Sequence, residues 1–343
     1  MEKHLLSLSS QLAGIEIHKI KLSIRPPLTH QSNRLYDIWF DNQHWIAKEY
    51  LNKDEFADAP RREHLSLQLI EHLDIAPKPI HYAPLTAHAR PIVFYKYMEG
   101  KMWDRKTPTE IELSRLAQVW LTMHQAKHDN LWLSRGQESS LEEALIRTKH
   151  KLQAYRDWAH QFYPQGAVAA DWGFEILKNR EPELNMLSAM EQVLVFSRAD
   201  PRFANVIAKP DGQLGLVDWE DAGLRDPARD LADMMIHPNQ EDLVSTALWE
   251  AFLKPYYKEH TTYDPQIEQR THLYQSGACL VWYAGLLYFG VNRALSEKLS
   301  GWQINGMPAN QRLRRYLARC RAWPDGDLDK KVAELEDFCF FPE

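Results

Sequence analysis

Phe196-Ser197-Arg198-Ala199-Asp200-Pro201-Arg202-Phe203-Ala204-Asn205-Val206, followed by Leu214-Gly215-Leu216-Val217-Asp218-Trp219-Glu220, is the stretch that decides how this chain is read. Asp200 and Asn205 stand five residues apart on an expected loop, and Asp218 follows thirteen further on, at the end of an expected strand. Taken singly, aspartate and asparagine mostly cap turns, because their short side chains bond nearby backbone amides. Two carboxylates and an amide at this joint spacing suit phosphoryl transfer. The transferred group spreads negative charge over its oxygens, so the reaction calls for hard cations on oxygen ligands and one group to orient the nucleophilic hydroxyl.

Around this segment the pattern is β-rich, with short strands expected at Val193–Phe196, Val206–Ala208 and Leu214–Val217, the last two joined by an Asp211-Gly212 turn. Upstream, Leu35–Phe40 and Trp45–Tyr50 read as a hairpin through Asp41-Asn42-Gln43. A helix is expected from Glu55 to Leu73, where Leu65, Leu69 and His72 or Leu73 recur at helical spacing, ended by Pro77 and Pro79. Strands at Ile80–Tyr82 and Ile92–Tyr97 follow. Beyond Gly100 the pattern turns helical. Thr107-Pro108-Thr109-Glu110 reads as a capping box, with the Thr107 hydroxyl and Glu110 carboxylate covering exposed amides ahead of a helix to Ala126. Ser140-Leu141-Glu142-Glu143 repeats the device, and the chain after Pro227 reads as helical. The expectation is an α+β chain in two lobes: a small β-rich lobe over residues 1–98 and a larger helical lobe over residues 99–343.

The D-x-x-x-x-N of Asp200 and Asn205, followed by V-D-W-E-D-A-G-x-x-D-P-x-x-D-L-A from Val217, resembles the catalytic and metal-binding motifs of the aminoglycoside phosphotransferase and choline kinase-like families. Those families share the protein-kinase-like two-lobed fold. The resemblance implies Asp200 as catalytic base or hydroxyl-orienting residue, with Asn205 and Asp218 as ligands of Mg2+. It implies ATP as phosphoryl donor, with GTP left open. His44-Trp45-Ile46-Ala47-Lys48 resembles the strand whose lysine holds the α- and β-phosphates. A glutamate of the next helix should hold that lysine, because an unpaired ammonium in a cleft shifts its pKa; Glu63 is the choice and Glu71 the reserve. Phe94-Tyr95-Lys96-Tyr97-Met98-Glu99-Gly100 resembles the hinge between lobes, where backbone groups of Lys96, Tyr97 and Met98 would meet the adenine edge.

Two departures stand out. The families usually carry H-G-D where this chain has Arg198-Ala199-Asp200, and the Arg198 guanidinium is expected to pair with a nearby carboxylate such as Asp230 or Asp218. The phosphate loop, Thr29 to Arg34, has no glycine, so Ser32 and Asn33 are expected to cap the phosphates. Pro227 follows Asp218 by nine residues and no A-P-E motif comes after it, which leaves no platform for a peptide. A small hydroxylated metabolite or drug is the expected acceptor. The alternative, kept open by Arg198 and the glycine-free loop, is a nucleotide-binding regulatory protein without turnover on the same fold.

Composition narrows the partners. The first hundred residues carry 12 Lys/Arg against 12 Asp/Glu, so the whole net charge of −6 falls on residues 101–343. That acidic balance disfavours nucleic acid and favours a cationic small molecule, an amino sugar or amino alcohol for instance. The longest apolar stretch, Ala278–Val291, is too short to span a bilayer and reads as a buried helix. The start lacks a leader pattern, and Cys279, Cys320 and Cys339 have neither disulfide nor zinc spacing, so a cytoplasmic protein with reduced thiols and no membrane partner is expected. His124 and His128 lack the acidic partner of a metal site. Trp282, Tyr283, Tyr288, Phe289 and Trp302 read as core before they read as an aromatic box. Nothing in the sequence sets an oligomeric state.

Overall fold

Residues 33–50 alternate so that both faces of the first hairpin are apolar, and the fold covers both. In the computed structural model, which describes residues 1–26, 33–51, 58–86, 89–127, 141–191, 193–296, 299, 301–323 and 326–342, α1 (Glu2–Ala13) precedes β1 (Lys21–Ile24). Then β2 (Asn33–Phe40) turns at Asp41 into β3 (Gln43–Tyr50). After α2 (Ala59–Ile70), β4 (Pro79–Ala83) and β5 (Ile92–Lys96) complete an antiparallel sheet of order β1-β2-β3-β5-β4. Successive strand side chains point to opposite faces. Trp45 and Ala47 therefore pack with Leu5 of α1, and Ile46 and Tyr50 with Leu67 and Ile70 of α2. Lys48, between Ile46 and Tyr50 in this alternation, is delivered to the α2 side.

The second lobe runs β6 (Lys101–Met102), α3 (Glu110–His124), α4 (Leu141–Phe162), α5 (Val168–Ala189), β7 (Val195–Ser197), β8 (Val206–Ala208), β9 (Leu214–Leu216) and β10 (Gly223–Arg225). It closes with α6 (Pro227–Ile236), α7 (Thr246–His260), α8 (Ile267–Ser296), the two-residue strands β11 (Gln303–Ile304) and β12 (Met307–Pro308), α9 (Ala309–Ala322) and α10 (Leu328–Ala333). The main apolar core continues from α2 into this lobe, and the Leu216 amide donates to the Ile75 carbonyl at 2.7 Å.

One capping expectation is corrected. The box at α3 is made by Thr109 and Glu112: the Thr109 hydroxyl accepts from the Glu112 amide and the Glu112 carboxylate accepts from the Thr109 amide at 2.9 Å. Thr109 is the last extended residue (φ −80°, ψ 166°), so Thr107 and Pro108 lie before the helix. The expected helix start at Glu55, Ser32 of the phosphate loop, His128 and the cap at Ser140 lie outside the described residues.

α8 is long and apolar enough by composition to cross a membrane, yet half of that window is buried inside the protein. It packs against α4, α5, α6 and α9. Its buried Arg270 is gripped by Asp226 and Asp264, each through two hydrogen bonds. This is the buried helix read from 278–291. Tyr283, on the same helix, donates to the Ala169 carbonyl and is core, while Phe289 is exposed, so the aromatic residues do not close a box. Cys279, Cys320 and Cys339 are free thiols.

Candidate active site

Asp200 and Asn205 lie on the link between β7 and β8, and Asp218 lies just past β9. β7 pairs with β10 and β8 with β9, which folds both links toward each other beneath the five-stranded sheet. Two buried amides fix the first link. Gln240 accepts from the Phe203 amide at 3.2 Å and donates to the Pro201 carbonyl at 3.0 Å, and Asn239 accepts from the Ala204 amide at 3.1 Å. No spacing in the sequence marks Asn239 or Gln240, because their partners are backbone groups far away in the chain.

Within the link, Asn205 donates through Nδ2 to Asp200 Oδ2 at 2.9 Å. Its Oδ1 is thereby left as the atom a cation could use. The Val217 amide donates to the Asn205 carbonyl at 3.0 Å, which sets Asp218 beside Asn205. Asp218 has φ +67°, a left-handed conformation rare for a residue with a side chain.

From the other lobe, Lys48 is almost fully buried, and its Nζ lies 2.8 Å from Glu63 Oε2, 2.5 Å from Asp218 Oδ1 and 3.0 Å from Glu220 Oε2. Burial alone would lower the lysine pKa; Asp218 and Glu63 outweigh it and hold the ammonium well above the usual range. Glu63 also accepts from the Tyr50 hydroxyl, whereas Glu71, the reserve, is exposed past the end of α2. Asn33 Nδ2 donates to Glu220 Oε2 at 2.8 Å, so the start of β2 reaches the same cluster. The Lys96 and Tyr97 amides are taken by the carbonyls of Lys78 and His44, and Tyr97 stacks on His44, which leaves the Met98 amide without a partner among the described residues.

The carboxylates divide electrostatically. Burial would raise Asp200, but the guanidinium groups of Arg202 and Arg198 hold it below the ordinary carboxylate range. Asp218 is also lowered, burial being outweighed by Lys48 and Arg202. Burial and the neighbouring carboxylates Asp218 and Glu63 instead hold Glu220 above the usual range. Asp221 is pushed up to about 6 by burial, then by Asp200 and Asp218. Asp233 is pushed up to about 6, mainly by burial, although Trp282 Nε1 donates to it at 2.6 Å. The Trp282 ring meets His237 edge-on, and His237 Nε2 lies 3.8 Å from Asp200 Oδ1, so Asp233 adjoins the site through a chain of contacts.

A family model described as the phosphotransferase enzyme family matches residues 23–266, which include Lys48, Glu63, Asp200, Asn205 and Asp218. The chain belongs to that family. It is a small-molecule phosphotransferase, as the motif around Asp200 and Asp218 led one to expect. Among solved structures it is similar to the choline kinase LicA of Streptococcus pneumoniae (18% identity, TM-score 0.60, 94% of this chain and 99% of that one). It is similar also to a choline kinase of Cryptosporidium parvum Iowa II (13%, TM-score 0.65, 99% and 100%). A third likeness is to a spectinomycin phosphotransferase solved with ADP and spectinomycin (13%, TM-score 0.55, 98% of both chains). At these identities the likeness is one of fold, the two-lobed protein-kinase-like architecture. No curated protein matches the chain in sequence.

In this phosphotransferase Arg198 does not make the expected pair with Asp230 or Asp218. Asp230 is already bonded by Ser197, by His124 at 3.3 Å and by Arg225 at 3.1 Å. Arg198 is directed elsewhere: Nη1 donates to the Val217 carbonyl at 3.1 Å and the guanidinium lies over the Trp120 ring. It thus ties the Asp200 link to the residue before Asp218, while Nε and Nη2 stay buried without a partner among the described residues. Ala199 has φ +66°, where glycine is at ease and a Cβ is strained. Ala199→Gly is therefore expected to stabilise the protein by about 1 kcal/mol. The check is a urea unfolding midpoint that rises at unchanged slope, with turnover retained.

Proposed function

We propose that this phosphotransferase uses ATP to phosphorylate a hydroxyl of a small cationic molecule, with residues 1–98 carrying the nucleotide and residues 99–343 the acceptor. One observation carries the reading: Lys48 and Glu63 from the first lobe meet Asp218 of the second, beside the Asn205–Asp200 pair. Asn205 Oδ1 and the Asp218 carboxylate are hard oxygen donors of the kind Mg2+ takes, and the oxygens of Asp218, Glu63 and Glu220 converge within 4.8 Å of one another. The ion would neutralise charge on the phosphate oxygens.

In this reading Lys48, oriented by Glu63, holds the non-transferred phosphates. Ser32 and Asn33 cover them, and the backbone of Lys96, Tyr97 and Met98 meets the base. Asp200 orients the acceptor hydroxyl. The hydroxyl oxygen bonds to the γ-phosphorus as the bond to the β–γ bridging oxygen breaks, ADP leaves with that electron pair, and the hydroxyl proton passes to Asp200. Survival of this whole set, on both sides of the cleft, supports an enzyme over a regulatory protein without turnover.

Asp221 and Asp233 support a cationic acceptor, since a partly buried carboxylate with a raised pKa is stabilised by an arriving cation. Asp233→Asn should reveal this. The folded value of Asp233, about 6, lies above its unfolded value. Its ionisation thus costs nothing at pH 3, costs progressively more as pH rises toward 6, and costs most above that. The variant should gain about 1–3 kcal/mol at pH 8 and nothing at pH 3, while its KM for a cationic acceptor rises. A pH series of urea midpoints without that divergence would sink the assignment.

The function itself is tested by thermal shift with Mg·ATP and Mg·GTP, then by product detection against amino sugars, choline-like amines, amino alcohols and neutral sugars. Stabilisation by Mg·ATP and a phosphorylated cationic product are expected. Nucleotide binding with no transfer to any acceptor would favour the regulatory alternative.

A further inference from the structure

Arg202 is a cation of the site that the phosphotransferase reading leaves without a task. It is exposed, with 44% of its side chain open to solvent, unlike the buried Lys48 and Arg198. Nε donates to Asp200 Oδ2 at 2.8 Å, while Nη2 lies 2.7 Å from the same oxygen and 3.6 Å from Asp218 Oδ2. The guanidinium thus spans the gap between the residue assigned to the acceptor hydroxyl and the residue assigned to the nucleotide's cation. A phosphoryl group passing from nucleotide to acceptor has to cross that gap.

The charges around it make the placement more than a surface ion pair. Lys48 is engaged by three carboxylates at 3.0 Å or less, and Arg198 turns toward Val217 and Trp120. Lys48 is thus fully engaged, and Arg198 is buried, whereas Arg202 is the most exposed of the three. Arg202 presents a planar fork that matches two oxygens of a phosphoryl group, on a side chain free to exchange one anionic partner for another. We propose that Arg202 is a catalytic residue: it leaves Asp218 and binds the oxygens of the transferred phosphoryl group, supplying in cis the positive charge that builds in value as the group moves. This inference rests on the phosphotransferase reading and adds to it the residue that meets the transferring group.

A merely structural Arg202 would act through Asp200, by holding its carboxylate in place. The two roles separate in the binding of Mg·ADP with and without aluminium fluoride, a mimic of the phosphoryl group in transit, measured by calorimetry on the full chain. Four proteins are compared: wild type, Arg202→Gln, Asp200→Asn and the double variant. In wild type aluminium fluoride should tighten ADP binding. Arg202→Gln should remove about 10- to 100-fold of that tightening while plain Mg·ADP affinity stays within about twofold, and kcat should fall about 10²–10³-fold. The same loss should recur when Arg202→Gln is made in the Asp200→Asn protein, and Arg202→Lys should restore part of it. Tightening unchanged in Arg202→Gln, or a loss that vanishes in the Asp200→Asn background, overturns the assignment while leaving the phosphotransferase intact. A wild-type protein that binds no Mg·ADP overturns both.

Discussion

Asp200→Asn is expected to lower kcat by about 10³–10⁴-fold while Mg·ATP still stabilises the protein against heat. The substitution keeps the size of the side chain and an oxygen for Arg202 and Asn205 to bond, and removes the charge proposed to receive the hydroxyl proton. Arg202 and Arg198 hold Asp200 below the usual carboxylate range despite burial. It therefore stays ionised well into acid, and an acid limb of the wild-type rate profile above pH 5 belongs to another group. The same shift contributes stability that is present above the unfolded aspartate value and is lost as pH falls through the folded one. The variant forfeits that stability at neutral pH, so the nucleotide-induced thermal shift is the control that separates lost chemistry from lost fold. Unchanged turnover in Asp200→Asn would remove Asp200 from the mechanism.

Lys48→Met should cost both fold and turnover. Nζ is buried among Glu63, Asp218 and Glu220, and removing it leaves three carboxylates whose oxygens crowd within 4.8 Å of one another. Breaking such a buried set by taking one partner costs about 3–5 kcal/mol, mostly as the penalty on the charges left behind. The folded pKa of Lys48 lies above its unfolded one. Its contribution is thus full below the unfolded value and is lost only in strong alkali. In the variant the loss should be greatest at pH 8 and smaller at pH 4 to 5, where the orphaned carboxylates take up protons. Turnover should fall about 10²–10³-fold. Urea midpoints at pH 5 and pH 8 and initial rates check both halves, and equal stability loss at the two pH values would contradict the cage.

Lys48 also shows how far the sequence could be read. That it sits on the second strand of a hairpin follows from the apolar runs around it. That it faces α2 follows from alternation with Ile46 and Tyr50. Glu63 as its partner needed only the helical frame of α2. Glu220 is not legible as a partner of Lys48, though it stands two residues after Asp218, because nothing in one-dimensional spacing says that a loop residue turns back toward a lysine 172 positions away. Asn239 and Gln240 were invisible for a similar reason: they bind backbone groups, and backbone leaves no residue signature. Arg198 departs from the expected pair because the partners of Asp230 are supplied by Ser197, His124 and Arg225.

What the sequence by itself determined is the chemistry available: Asp200 and Asn205 at fixed spacing on a loop, Asp218 at the end of a strand, a lysine on a buried strand, and two lobes of opposite secondary structure. Local alternation, turn chemistry and caps encode these, and they depend on neighbours a few residues away. Only the tertiary structure decided which charges meet. Lys48 is caged by carboxylates of two lobes, Arg202 spans Asp200 and Asp218, and Arg198 is left in the core over Trp120. Coulomb attraction and burial act through space, so their outcome depends on distances that packing sets and sequence separation does not record.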